Sequence, residues 1–148
     1  MSEKKINKQI VGNVGMFYVC YQLSLWGWNV MPTSRNAKGI DIIAYSPNGK
    51  KFLGIQVKTL SKPVHIPLGE EKEKIMGDYW IIVVLPDEQS TSCNPTMYIL
   101  SKNEVIDRGS NYIKNGKKSA FLHKNKYEDE KYKDKLDKIV VLRDNNTR

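Results

Sequence analysis

Apolar residues recur along the chain with two periods. Ile10, Val14, Phe17, Tyr18, Tyr21 and Leu25 are spaced by three and four, which predicts a helix over roughly residues 6–26 with these side chains on one face. Gly12 and Gly15 each cost such a helix about 1 kcal/mol relative to alanine. That cost points to close packing at the glycines, or to a helix that begins near Asn13. Gly27 is a stop signal. Shorter apolar runs follow. Asn29-Val30-Met31, ended by Pro32, reads as a short strand. Residues 40–45 (Ile-Asp-Ile-Ile-Ala-Tyr) and 51–60 read as two longer strands. The segment 69–74 is charged, and a loop or short helix is expected there. Residues 79–85 form the most apolar run and should lie centrally in a sheet. A loop over 86–95 and a strand over 97–100 come next. Ser101 with Glu104 three residues on is a capping box that starts a helix. Residues 128–138 are read as a last helix, with 139–142 as its apolar end or a short strand.

The order helix, three strands, loop, two strands, helix, helix predicts a mixed α/β sandwich whose sheet is antiparallel in its first part. With 148 residues and no internal repeat or linker, a single domain over 1–148 with one core is expected. No apolar run approaches the roughly 18 residues that span a bilayer. The first residues are polar rather than signal-like, so a cytoplasmic protein without membrane contact is expected.

Two cysteines, Cys20 and Cys93, lack metal-ligand spacing, and Cys20 reads as a buried thiol. His65 and His123 each lack a nearby Cys or His in the sequence, which argues against zinc. The net charge is +8, from 24 Lys and Arg against 16 Asp and Glu. This balance favours polyanionic partners such as nucleic acid. Lysines 131, 133, 135 and 138 alternate with acids and read as a solvated helix face.

The candidate chemistry lies on a hairpin. Asn48-Gly49 between two apolar strands is a two-residue turn signal. Pro47 then faces Lys50, opposed positions sum to 97, and Asp41 faces Gln56. Strand alternation puts Lys58 on the side of Gln56, with Leu53, Ile55, Val57, Ile42 and Ala44 on the other. An acid, an amide oxygen and an amine thus gather on one face. Phosphodiester hydrolysis explains such a cluster. A divalent ion polarises the phosphate and activates water, and magnesium needs few protein ligands. Asp41, Gln56 and the Val57 carbonyl would supply oxygens, and Lys58 would orient water and stabilise charge. The alternative is that Asp41 caps a strand entry and the other two are merely solvated.

Gly12-Asn13-Val14-Gly15 in a first helix, Gly27-Trp28, Gly39-Ile40-Asp41-Ile42-Ile43-Ala44 and Ile55-Gln56-Val57-Lys58 together resemble the PD-(D/E)XK nuclease superfamily. The branch most similar is that of archaeal Holliday-junction resolvases and Mrr-type restriction endonucleases. The resemblance covers about the first 60 residues. It implies a restriction-endonuclease-like mixed sheet with an antiparallel hairpin core flanked by helices. It also implies a metal-dependent endonuclease acting on DNA with Mg2+ or Mn2+, and an active site at Asp41, Gln56 and Lys58. Relatives commonly carry Glu just after the second glycine of the first helix, where this chain has Met16. Gln56 also replaces the more usual Glu, which leaves Asp41 as the one carboxylate of the matched motif. A nuclease-fold protein that binds nucleic acid without cutting it, and a small interaction protein, therefore stand as alternatives. Glu70, Glu71 or Asp78 are candidates to replace the missing acid. Ser34, Arg35, Asn36 and Lys38, just before Asp41, are candidate phosphate contacts. Trp26, Trp28 and Tyr45 are read as packing residues, with base stacking as the alternative. Nucleases of this fold often act in pairs, so a homodimer is left open.

Overall fold

The computed structural model describes residues 7–34, 39–87 and 89–139. Asn7 opens the first helix, its side-chain oxygen accepting a hydrogen bond from Gln9 N at 2.9 Å, as an N-cap should. The helix, α1 (Lys8–Leu25), ends at Gly27, whose φ of +90° turns the chain back. Three strands follow in a meander, β1 (Asn29–Pro32), β2 (Ile42–Tyr45) and β3 (Phe52–Leu60). Both pairings are antiparallel, and β2 pairs with β3 in the expected register, Ile42 with Ile55 and Tyr45 with Phe52. Pro32 is tolerated because β1 is an edge strand.

After β3 the chain leaves this sheet to form β4 (Ile66–Gly69) and a 3-10 turn at Lys72–Lys74. It returns as β5 (Tyr79–Val84), parallel to β3, and continues antiparallel as β6 (Thr96–Ser101). The five-stranded mixed sheet runs β1-β2-β3-β5-β6, and β5 is interior as its composition requires. Ser101 and Glu104 close the capping box of α2 (Lys102–Arg108). Then β7 (Ser110–Lys114) and β8 (Lys117–Leu122) join β4 in a three-stranded antiparallel sheet. A short helix α3 (Lys124–Tyr127) and a 3-10 turn at Leu136–Lys138 complete the described chain.

Two apolar layers hold these parts together. One lies between α1 and the large sheet, with Val19, Leu23, Trp28, Ile42, Ile55, Ile81 and, from the chain end, Leu136 and Ile139. The other lies between the large sheet and α2 with the small sheet, with Ile66, Trp80, Ile82, Leu100, Val105, Leu122 and Tyr127. Each fully buried Ile or Leu contributes roughly 1.5–3 kcal/mol.

Several expectations are corrected. The large sheet is flanked by α1 on one face and by α2 on the other, but α2 shares its face with a second, three-stranded sheet that the sequence did not suggest. Strands β4, β7 and β8 are additional to the expected strands. Residues 128–138 are not an α-helix but irregular chain, bridged to the large sheet at Tyr98–Lys133. The lysines at 131, 133, 135 and 138 therefore share no helical face, and Lys138 instead pairs with Glu104 at 2.9 Å. Apart from Tyr18, which packs against the core, the face of α1 picked out by periodicity points away from it. Val11, Gly15, Val19, Cys20 and Leu23 are buried, whereas Ile10, Val14, Phe17, Tyr21 and Leu25 are exposed. Of the two helical glycines, Gly15 alone is a packing point. A Cβ there would meet Thr59 Oγ1 of β3 at 1.8 Å, while one at Gly12 would meet nothing within 4 Å.

Candidate functional site

The β2–β3 hairpin places the candidate residues. Its turn runs from Ser46 to Gly49, with Gly49 N donating to Ser46 O at 2.8 Å and Gly49 at φ +69°. The loop is therefore built around Pro47-Asn48 rather than Asn48-Gly49. Ser46 N still bonds Lys51 O at 2.9 Å, so opposed positions sum to 97 in either geometry. The register survives a wrong reading of the turn because both loops are symmetric about the same point.

Asp41 lies one residue before β2, held by its own N–H on Ile55 O at 2.9 Å. Its Oδ2 accepts two hydrogen bonds, from Gln56 Nε2 at 2.7 Å and from Val57 N at 2.8 Å. Asp41 is half-buried and Gln56 is buried. No buried side-chain oxygen lacks a partner among the described residues. Gln56 Oε1 and Asp41 Oδ1 accept no side-chain or backbone hydrogen bond there, so both reach solvent. Ile55 and Val57 face the α1 layer, while Gln56 and Lys58 face the other way.

Lys58 is half-buried, and its ammonium lies 5.7 Å from the centre of the Trp80 ring. Trp80 stands beside Gln56 on β5. The cation–π contact is worth about 0.5–1 kcal/mol at a partly exposed site, and it holds the amine over the sheet. Lys58 forms no ion pair within 4.0 Å with Asp41. The structure thus brings Asp41 and Gln56 into contact and sets Lys58 on the same face without joining it to the acid. Trp80 is a member of this face beyond the residues expected from the hairpin. Its signal was the alternation of 79–85, which places Trp80 and Ile82 opposite Ile81.

The segment before β5 forms the neighbouring wall. A Cβ on Gly77 would lie 3.4 Å from Gly54 O and 3.5 Å from Gln56 N, and Gly77 has φ +90°. Trp80 Nε1 donates to Met76 O at 2.9 Å and fixes this segment. Asp78 joins the hairpin differently, its Oδ2 accepting from Gly54 N at 2.7 Å.

The other candidate acids are placed elsewhere. Glu71 pairs with Lys118 at 2.9 Å and Lys74 at 3.1 Å, and the Lys118 hydrogen bond, then that of Lys74, holds its carboxyl below the usual range. Glu70 is exposed next to it. Met16 packs against the α1 layer, on the other side of β3 from Gln56 and Lys58. Among the described residues no three of His, Cys, Asp or Glu gather as a metal-binding group. Arg35, Asn36 and Lys38 lie outside the described residues. Trp28 is buried with Nε1 on Ile139 O at 3.0 Å, Tyr45 stacks on Phe52, and Trp26 is exposed.

A scan of protein-family models finds none that matches, and a search of curated proteins finds no relative. Among the described residues no helix is long and apolar enough to cross a membrane.

His65 and His123, distant in sequence, meet edge to face with ring centres 4.5 Å apart. Tyr112 OH bonds His123 Nε2, and the pair opens on a hollow of about 410 Å3 lined also by Lys124, Asn125, Lys126 and Glu128. Pairing of β4 with β8 makes this contact, which single-sequence spacing does not reveal. Burial raises the Cys20 thiol pKa, as expected for an inert core cysteine.

Proposed function

We propose that this chain is a metal-dependent nuclease of the PD-(D/E)XK type that hydrolyses phosphodiester bonds in DNA. The observation that carries the reading is the hairpin face itself. Two solvent-reaching oxygens, Asp41 Oδ1 and Gln56 Oε1, stand on adjoining strand positions beside an amine that has no ion-pair partner among the described residues. The mixed sheet with an antiparallel β1-β2-β3 start and a parallel β3–β5 step is compatible with a restriction-endonuclease-like fold.

This donor set suits magnesium or manganese, hard ions that take oxygen ligands and keep several waters. Asp41 and Gln56 would hold the ion, with the Val57 carbonyl as a third donor. Such an ion supplies Lewis acidity and a more acidic water at the phosphate. Asp41 contributes negative charge, Gln56 a neutral oxygen that its own N–H orients through Asp41. Lys58 offers a positive charge for the phosphate oxygens. Exposed Lys114, Lys117, Lys124 and Lys126, with the net charge of +8, favour a polyanion.

A second reading rests on the same hydrogen bonds. Asp41 Oδ2 is already satisfied by Gln56 and Val57 N, so one carboxylate and one amide form a stable cluster without an ion. That is the arrangement of a nuclease-fold protein that binds nucleic acid without cutting it. A nicking assay beside a gel-shift assay, at matched salt, separates the two. The nuclease reading expects cleavage with Mg2+ or Mn2+ that Asp41→Asn and Lys58→Ala abolish while binding stays within a few-fold of wild type. Binding with no cleavage of linear, branched or single-stranded DNA establishes the second reading.

A further inference from the structure

The exposed side of α1 is unusual. Ile10, Phe17, Tyr21 and Leu25 are 53–66% exposed, Val14 is 42% exposed, and Trp26 follows at the helix end. At about 100° per residue these five side chains share an arc of roughly 80°, nearly opposite the buried face. The helix is therefore apolar on two sides. The five side chains of this arc, exposing on the order of 100 Å2 each, give a patch of about 500 Å2, toward the upper end for an ordinary monomer. It amounts to more than half of the roughly 800 Å2 that each partner gives to a standard interface.

We propose that this face of α1 is the contact surface for a second copy of the chain, packed antiparallel about a two-fold axis near Phe17. Charge selects the occupant. Lys8 is the one charged residue in the 18 residues of α1, whereas 27% of the chain is charged and the net charge is +8. Two copies repel over most of their surfaces, and this face lets them meet without opposed lysines. A nucleic acid would find no row of cations here. The pattern is also self-complementary. About a centre between residues 17 and 18, Ile10 falls opposite Leu25, of equal size, and Val14 falls opposite Tyr21, small against large. Spacings of four and three are those of a helix-pair seam, and a two-fold contact pairs each position with its mirror. The chain's own end is a poorer occupant. Beyond Ile139 it offers Val140, Val141 and Leu142, then six polar residues. This inference does not depend on the nuclease reading.

Sedimentation equilibrium of the full chain tests it. Wild type should approach twice the 17.0 kDa chain mass at concentrations up to about 100 μM, a weak demand on an interface of this size. Phe17→Glu, at a site exposed in the single chain, should weaken the dimer at least about thirtyfold with an unchanged circular dichroism spectrum. Disulfide trapping gives the geometry independently of that variant. In a Cys93→Ser background, which removes the exposed native thiol, Val14→Cys mixed with Tyr21→Cys should cross-link, and Val14→Cys alone should not. A monomeric wild type overturns the proposal. So does a dimer that survives Phe17→Glu, or a Val14→Cys protein that cross-links to itself as fast as the mixture.

Discussion

Gln56 donates its side-chain N–H to Asp41 across the β2–β3 hairpin at 2.7 Å, and the same Asp41 oxygen accepts the Val57 amide. The amide at position 56 is what lets a lone half-buried carboxylate rest here. A second carboxylate in its place would turn a hydrogen bond into a repulsion that only a cation or a shared proton relieves.

Gln56→Glu should therefore separate two effects. Without metal the variant should lose about 1–3 kcal/mol of stability, because a buried acid faces another at hydrogen-bond distance. With manganese it should regain that loss and bind the ion about tenfold or more tightly, since the site gains a charged oxygen ligand. Thermal unfolding with and without Mn2+, beside calorimetric titration, measures both. No gain in affinity would mean that position 56 does not meet the ion.

The two glycines of α1 should respond in opposite ways to alanine. Gly12→Ala meets open space and should stabilise the protein by up to about 1 kcal/mol through helix propensity. Gly15→Ala drives a methyl group into Thr59 and should cost about 1–3 kcal/mol or more as α1 is pushed off β3. Denaturant midpoints of the two variants give the comparison.

Those glycines also mark where sequence reading succeeded and stopped. Local rules found what local chemistry decides: the Ser101–Glu104 capping box, the Gly27 stop and the β2–β3 register that joins Asp41 to Gln56. The rules were weaker where two signals compete. Periodicity on α1 located the larger apolar stripe, but the core took the smaller residues Val11, Gly15 and Val19, because only a face with a glycine fits against Thr59. Asn48-Gly49 predicts a two-residue hairpin turn, but the turn instead spans Ser46–Gly49 with Pro47-Asn48 at its centre. The same dipeptide at Asn115-Gly116, with φ of 50° and 73°, forms the two-residue turn of β7–β8. The sequence hides that hairpin because the strand ends beside the turn are polar and exposed, with Asn111 and Lys114 on β7 and Lys117 and Lys118 on β8. Trp80 joined the Lys58 face through β3–β5 pairing, a contact between strands more than twenty residues apart.

Tyr127 makes alkaline stability measurable. Burial pushes its phenol up to about 12, and the neutral O–H donates to Val64 O at 2.7 Å. The folded chain then holds this proton more tightly than the unfolded chain, whose tyrosine titrates near 10. The group's contribution is complete below pH 10 and is lost as pH rises toward 12, at about 1.4 kcal/mol per pH unit. Tyr127→Phe should flatten that decline while lowering neutral-pH stability by about 1 kcal/mol through the unpaired Val64 carbonyl. Unfolding curves at pH 8, 10 and 11 would show it, and an equally steep loss in the variant would assign the alkaline transition to another group.

Trp80 should act as the positioning residue of the candidate site. Its ring lies under the Lys58 ammonium, and its N–H holds Met76 O, which keeps Gly77 against the backbone of Gly54 and Gln56. Trp80→Phe keeps an aromatic face for the lysine but frees the Met76 carbonyl and leaves a small void. The expected cost in stability is about 1–3 kcal/mol. The local consequence is more telling than the total. Asp78 N, bonded to Gly54 O at 2.7 Å, should exchange its proton faster, whereas Ile99 N, bonded to Tyr132 O at 2.9 Å on the far side of β5, should keep its protection relative to global unfolding. If the chain cleaves DNA, the variant should lose rate more than affinity, because loosening this wall shifts the Asp41–Gln56 oxygens without removing any lysine that meets phosphate. Equal acceleration of exchange at Asp78 and Ile99 would reduce Trp80 to ordinary core packing.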